Sequence, residues 1–285
     1  MLKYPWNDYS GRLSPLKLGV FVLLFVPAGS VAFGYATHTL GPRELNEAIH
    51  RIGLWGIRLI FLALAVTPLR HILQWRRLLL VRRMIGVAAF AYVLVHFLLY
   101  TADQAFDVPK IASEIVLRVY LTIGFTALLG LAALAATSTD AMIRRVGRLN
   151  WERLHRLVYA IGILAVIHYC FQSKLELWEP TWMAGLLGWL LLYRVLARFV
   201  GMRGRLSLGW AAGLSVGAAL GTALGEAAFF HLAYHAPLLL VLQTNLTLTT
   251  GLRPAPIVLA AGLAVTLAGA LRNVLPSARR RLRPA

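Results

Sequence analysis

Three histidines belong to long apolar spans, where an ionisable side chain is costly and points to a chemical role: His96 and His168 inside their runs, and His155 at the start of the span that carries His168. A neutral imidazole offers a lone pair on one nitrogen and a proton on the other. His96 lies twelve residues past Met84 in one apolar run, and His168 lies near the end of another. If both runs cross a bilayer in the same direction, the two rings reach similar depth on neighbouring helices. Such a pair is what a bis-histidine haem requires, one imidazole on each axial position of the iron and the porphyrin in the gap between helices. The alternative is a pair of histidines hydrogen-bonded to nearby backbone or hydroxyl groups.

His155 precedes His168 by 13 residues, about 19 Å along a helix rising 1.5 Å per residue. That depth suits a second haem beneath the first, but at about 100° per residue 13 steps miss whole turns by roughly 140°. Both rings face one gap only if the helix is irregular, for example near Gly162. Fourteen residues before His96 stands Arg82, offset by only about 40° on the same rule, where a two-haem helix would carry its inner histidine. Arginine stays protonated and is a poor iron ligand, so clamping a haem propionate is its expected role and an Arg–iron bond the sharper alternative. His38, His50, His71, His231 and His235 fall outside the runs, with no partner at matched depth. His231 and His235 are four apart and could form a metal pair, but no third ligand is evident.

The elements that must hold these residues are membrane helices. Of 285 residues, 59% are hydrophobic and 14% charged, and the mean hydropathy of +0.69 excludes a water-soluble globular domain. Apolar runs near the roughly 20 residues needed to cross a bilayer cover 18–36, 53–69, 84–101, 115–136, 157–171, 182–200, 208–230 and 257–271. The expected fold is all-α, a polytopic helical bundle. The fifth and last runs are short and must borrow flanking residues, and 237–244 is too brief to cross. The first run could instead be a secretory signal core, but it exceeds the usual span of about 7–15 residues.

The net charge of +18 would suggest nucleic acid in a soluble chain. Here the basic residues sit between apolar runs, so they set topology and no nucleic-acid partner is expected. Alternate connections carry 22 of the 29 basic residues: Lys3, Arg12 and Lys17; Arg70, Arg76, Arg77, Arg82 and Arg83; Arg144, Arg145, Arg148, Arg153 and Arg156; Arg194, Arg198, Arg203 and Arg205; Arg272, Arg279, Arg280, Arg281 and Arg283. Basic loops stay in the cytoplasm, which places both termini there, with His96 and His168 in the outer half. Arg58 is the exception, inside the second run, where it snorkels or pairs within the bundle. The lone Cys170 excludes an intrachain disulfide framework and a four-cysteine metal site. No Gly-rich nucleotide motif occurs, so electrons for any redox chemistry must come from elsewhere.

The segments TPLR (67–70), RRMIG (82–86), TSTD (137–140) and WERLHRLVY (151–159), with His96 and His168, together resemble one family. It is the haem-binding membrane subunit of the bacterial periplasmic protein-methionine-sulfoxide reductase system, within the ferric-reductase-like transmembrane group. The resemblance covers roughly residues 15–200. It implies a b-type haem on His96 and His168, a second or alternative haem at His155, and an associated FMN for which no motif can be assigned. It also implies electron entry from the quinone pool or a flavin reductase, and exit to a molybdenum-cofactor reductase that repairs methionine sulfoxide in the periplasm. The further inner histidine and fused flavin–nicotinamide domain of superoxide-forming and ferric-reducing relatives are absent. Residues 1–200 are expected to form a six-helix haem-binding core. Residues 201–285 add an Ala- and Gly-rich helical pair and a basic tail, on which the resemblance is silent.

Substrate reduction is then expected in the partner rather than in this electron-transfer subunit. The acidic residues Asp103, Asp107, Glu114, Glu176 and Glu179 are candidates for docking it, and Trp178 and Trp182 for stacking a quinone. Two rivals remain: a ferric or cupric reductase, and a haem-free permease or assembly factor.

Overall fold

A computed structural model of the protein describes residues 4–7, 10–173, 176–201, 205–247 and 251–274. Lys3, Arg203, Arg279, Arg280, Arg281 and Arg283, which enter the charge pattern above, lie outside the described residues. The described chain is helical, apart from a single bridge between Asn7 and Leu13. Its helices are α1 (Pro15–Leu23), α2 (Val26–Ala36), α3 (Glu44–Ile72), α4 (Leu79–Asp103), α5 (Val108–Leu117), α6 (Val119–Ala136) and α7 (Asp140–Val146). They continue with α8 (Arg148–His155), α9 (Leu157–Gln172), α10 (Trp178–Phe199), α11 (Leu208–Tyr234), α12 (Leu238–Leu246) and α13 (Pro254–Val274). Eight segments are long and apolar enough to cross a membrane, one for each expected run. The chain is an all-α, multi-pass membrane protein.

The boundaries differ from the hydropathy runs where backbone chemistry intervenes. The fourth crossing starts at Val119 rather than at 115, because Arg118 takes an extended conformation (φ −106°, ψ 105°) and separates the short α5. The fifth does borrow flanking residues, through α8, and spans Arg148–Gln172. The first is split at Leu24–Phe25, where Pro27 in the next turn cannot donate to the ladder. In hydrocarbon the freed groups need a partner, and Tyr92 of α4 supplies one. Its hydroxyl accepts from Ala28 N at 3.0 Å and donates to Leu24 O at 2.7 Å.

The helices gather into two compact units, one of residues 1–66 and 77–172, the other of 67–76 and 173–285. In the first, α4 and α9 both pack on α6 and scarcely on each other. A gap is therefore left between the two helices that carry His96 and His168.

In the second unit α11 and α13 make the most extensive helix pairing, with α10 against both. Close approach rests on small residues, as the composition suggested: a Cβ at Gly185 would strike Thr222 and Val258, and one at Gly262 would strike Ser215. Glu226, only 5% exposed, accepts from Arg253 Nη2 at 2.5 Å and from Asn245 Nδ2 at 2.8 Å. Removing one member of a buried pair strands the other. Glu226→Ala is thus expected to destabilise the detergent-solubilised protein by about 3 kcal/mol, and an unchanged thermal midpoint would show the pair to be dispensable.

Candidate functional site

His96 projects from α4 onto α3. Its Nδ1 lies 2.8 Å from the carbonyl oxygen of Ile49, and a Cβ at Gly53 would come within 2.7 Å of that nitrogen. His168 projects from α9 onto α6 in the same way. Its Nδ1 lies 2.8 Å from the carbonyl oxygen of Tyr120, and a Cβ at Gly124 would come within 2.7 Å of its ring carbon Cε1. Each imidazole therefore rests on a bare stretch of helix, bonded to the carbonyl four residues before a glycine. The glycine is needed for a steric reason, since any side chain there would occupy the place of the ring.

A carbonyl oxygen can only accept, so Nδ1 of each ring carries the proton and Nε2 keeps its lone pair. Among the described residues no hydrogen bond engages Nε2 of either ring. This is the arrangement found around metal-ligating histidines, where the bond made by the other nitrogen fixes tautomer and orientation. The ring centres stand 6.4 Å apart, with planes 82° to one another. Two metal–nitrogen bonds of about 2 Å, with the ring radii added, span about 6 Å. The ring separation thus matches that of two imidazoles sharing one metal ion. Both readings of these histidines raised by the sequence remain compatible here: the backbone bonds are present, and they leave Nε2 of each ring open.

Three residues of this site were not evident from spacing. Gly53 and Gly124 are two among 24 glycines, and only a helix register could have matched them to the histidines. His50, placed outside the apolar runs by hydropathy, belongs to the α3 crossing. Its ring centre is 6.0 Å from that of Tyr169, the neighbour of His168.

His155 occupies a separate cluster built by the quoted motifs. Its ring stacks on Trp151 at 3.9 Å and 28°, with Nδ1 donating to Trp151 O at 3.1 Å. Its Nε2 is 3.4 Å from Ser138 Oγ, a weak contact, because the Ser138 hydroxyl proton already goes to Leu134 O at 2.7 Å. The other residues of TSTD each hold something different. Thr137 O accepts from Trp151 Nε1 at 2.8 Å, Thr139 caps α7 through Met142 N, and Asp140 pairs with Arg83 at 2.7 Å. Arg82 is exposed, with its charge close enough to act on His155. The irregularity expected between His155 and His168 falls at Arg156, where i to i+3 bonds join α8 to α9, and not at Gly162.

The remaining titratable candidates are placed otherwise. Arg58 covers the ring of Trp55 at 5.1 Å. His231 bonds to Ala236 O at 3.0 Å, and His235 takes a left-handed conformation at the end of α11. No group of three or more His, Cys, Asp or Glu side chains gathers as a metal site among the described residues.

Residues 52–166 match the family described as ferric reductase like transmembrane component. A protein-methionine-sulfoxide reductase heme-binding subunit MsrQ of Azospira oryzae is 41% identical over 189 residues, covering 66% of this chain and 81% of the relative. A protein of the same description from Rhodospirillum rubrum is 41% identical over 180 residues, covering 63% and 86%. One from Xanthomonas campestris pv. campestris is 45% identical over 165 residues, covering 58% and 75%. No solved structure matches the chain.

Proposed function

The chain belongs to the MsrQ family of protein-methionine-sulfoxide reductase heme-binding subunits, and from that membership we propose that His96 and His168 are the axial ligands of a haem b. The observation that carries this is the facing pair of rings 6.4 Å apart, each held by Nδ1 with Nε2 open. Haem so held supplies one-electron transfer without an open coordination position for substrate. The protein's part is to fix both imidazoles through backbone carbonyls, hold a narrow gap, and keep the site at membrane depth.

The chain is then an electron-transfer subunit of the bacterial inner membrane with both termini cytoplasmic. It takes electrons from the quinone pool or a cytoplasmic flavin reductase and delivers them to a periplasmic molybdenum-cofactor methionine-sulfoxide reductase. The charge pattern supports this orientation. The stacking role for Trp178 and Trp182 is supported by their mutual contact at 6.3 Å and by a buried Trp182 indole N–H without a hydrogen-bond partner. His155 is assigned to a second, inner haem, whose iron would displace the weak Ser138 contact, with the exposed Arg82 clamping a propionate. FMN is carried by the resemblance alone, and no residue is assigned to it. Residues 1–200 are the family core, and 201–285 are an appended pair outside it.

The test is reconstitution in vesicles. Wild-type protein expressed with ample haem is expected to show b-type Soret and α bands, to be reduced by a quinol, and to be reoxidised when the partner reductase and methionine sulfoxide are added. Absence of those bands overturns the assignment. Reoxidation by ferric or cupric ions but not by the partner would select the metal-reductase reading.

A further inference from the structure

His50 stands on α3 one residue beyond Ile49, whose carbonyl holds the His96 ring, and about 60° around the helix from Gly53, on which that ring rests. It approaches α9 as well. Its ring tilts against Tyr169 at 6.0 Å and 48°, with Tyr169 buried and His50 exposed. It therefore sits at the rim of the gap, on the helix that supports one imidazole and beside the helix that bears the other. The neighbouring cations are engaged elsewhere: Arg51 is paired with Glu47 at 2.6 Å, and Arg58 covers Trp55. No hydrogen bond engages the His50 ring among the described residues, so its N–H is available as a donor.

We propose that His50 is a positioning residue of the His96–His168 site, donating a hydrogen bond to a carboxylate on the edge of the porphyrin that those two histidines hold. The proposal rests on the haem reading above. A b-type porphyrin carries two propionate carboxylates, and a carboxylate at the edge of a membrane bundle needs a donor to offset lost hydration. A hydrogen bond to a charged group is stronger than one between neutral groups. Here it would tie the porphyrin's rotation about the His–iron–His axis to α3. Neither axial ligand can do this alone, since each touches only the iron.

The experiment compares purified wild-type holoprotein with His50→Leu, which removes the donor, and His50→Gln, which keeps one. Low-spin spectra, the rate of haem loss to excess apomyoglobin and the midpoint potential are read for each. All three proteins are expected to remain low-spin. His50→Leu should release haem about tenfold faster and show a lower midpoint potential, because an unbonded carboxylate favours the oxidised iron. His50→Gln should recover most of both. Reconstitution with iron protoporphyrin dimethyl ester, which lacks free carboxylates, should abolish the difference between wild type and His50→Leu. The proposal is overturned if His50→Leu matches wild type, if Leu and Gln variants change equally, if the difference persists with the ester, or if the low-spin signal is lost. Absence of a b-type spectrum in wild type itself would instead remove the haem reading.

Discussion

Alanine at position 96 or 168 is expected to erase the low-spin bis-histidine spectrum altogether, in the optical α band and in electron paramagnetic resonance alike. On the proposed ligation each imidazole contributes one of two axial nitrogens. The ring that remains stays fixed by its carbonyl, Ile49 O or Tyr120 O, so a single variant is left with one strong ligand and an empty volume opposite. A high-spin or haem-depleted protein should result. His155→Ala is expected to behave differently. It removes the ring stacked on Trp151 and any haem held there, while the low-spin signal of the proposed His96–His168 pair persists. Redox-monitored optical titration separates these outcomes, and retention of the full spectrum in His96→Ala and His168→Ala would discard the ligand pair.

The second large effect comes from adding one methyl group. At Gly53 a Cβ would lie 2.7 Å from His96 Nδ1 and 2.9 Å from Cε1; at Gly124 it would lie 2.7 Å from His168 Cε1 and 2.8 Å from Nδ1. Neither ring can stay where it is, and moving it breaks the bond that sets its tautomer. Loss of such a supporting contact typically costs about 10–100-fold in metal affinity, and that is the expected weakening of haem retention in Gly53→Ala and Gly124→Ala. Gly86 on α4 is the control, because nothing lies within 4 Å of a Cβ placed there. Alanine at that helical position should hold haem normally and stabilise the helix by about 0.5–1 kcal/mol. Equal haem retention in all three variants would show that the glycines do not seat the histidines.

How the polypeptide encodes this site differs from part to part. Chain length, apolar runs and the alternation of basic connections were enough to give eight crossings and an all-α bundle, because hydrocarbon thickness and backbone satisfaction leave few alternatives. His96, His155 and His168 were also visible in the sequence, since a titratable residue inside an apolar run stands out against its neighbours. The motif residues around His155 were visible only as a set. That Thr137, Ser138, Thr139 and Asp140 each serve a different element emerges when α7 and α8 fold back beside α4.

Only the tertiary structure decided which nitrogen of each imidazole is free, and what holds the other. The partners are main-chain carbonyls of Ile49 and Tyr120, which any residue type could have supplied, and the enabling glycines are indistinguishable in sequence from those that let α11 and α13 pack. The same limit hid His50: hydropathy measures the residues beside it along the chain, whereas its surroundings come from α9, more than a hundred residues later. Periodicity along one strand of sequence reports depth and face. The distance between rings on two helices depends on how those helices lean against a third, here α6, and that is settled by packing between segments remote in sequence.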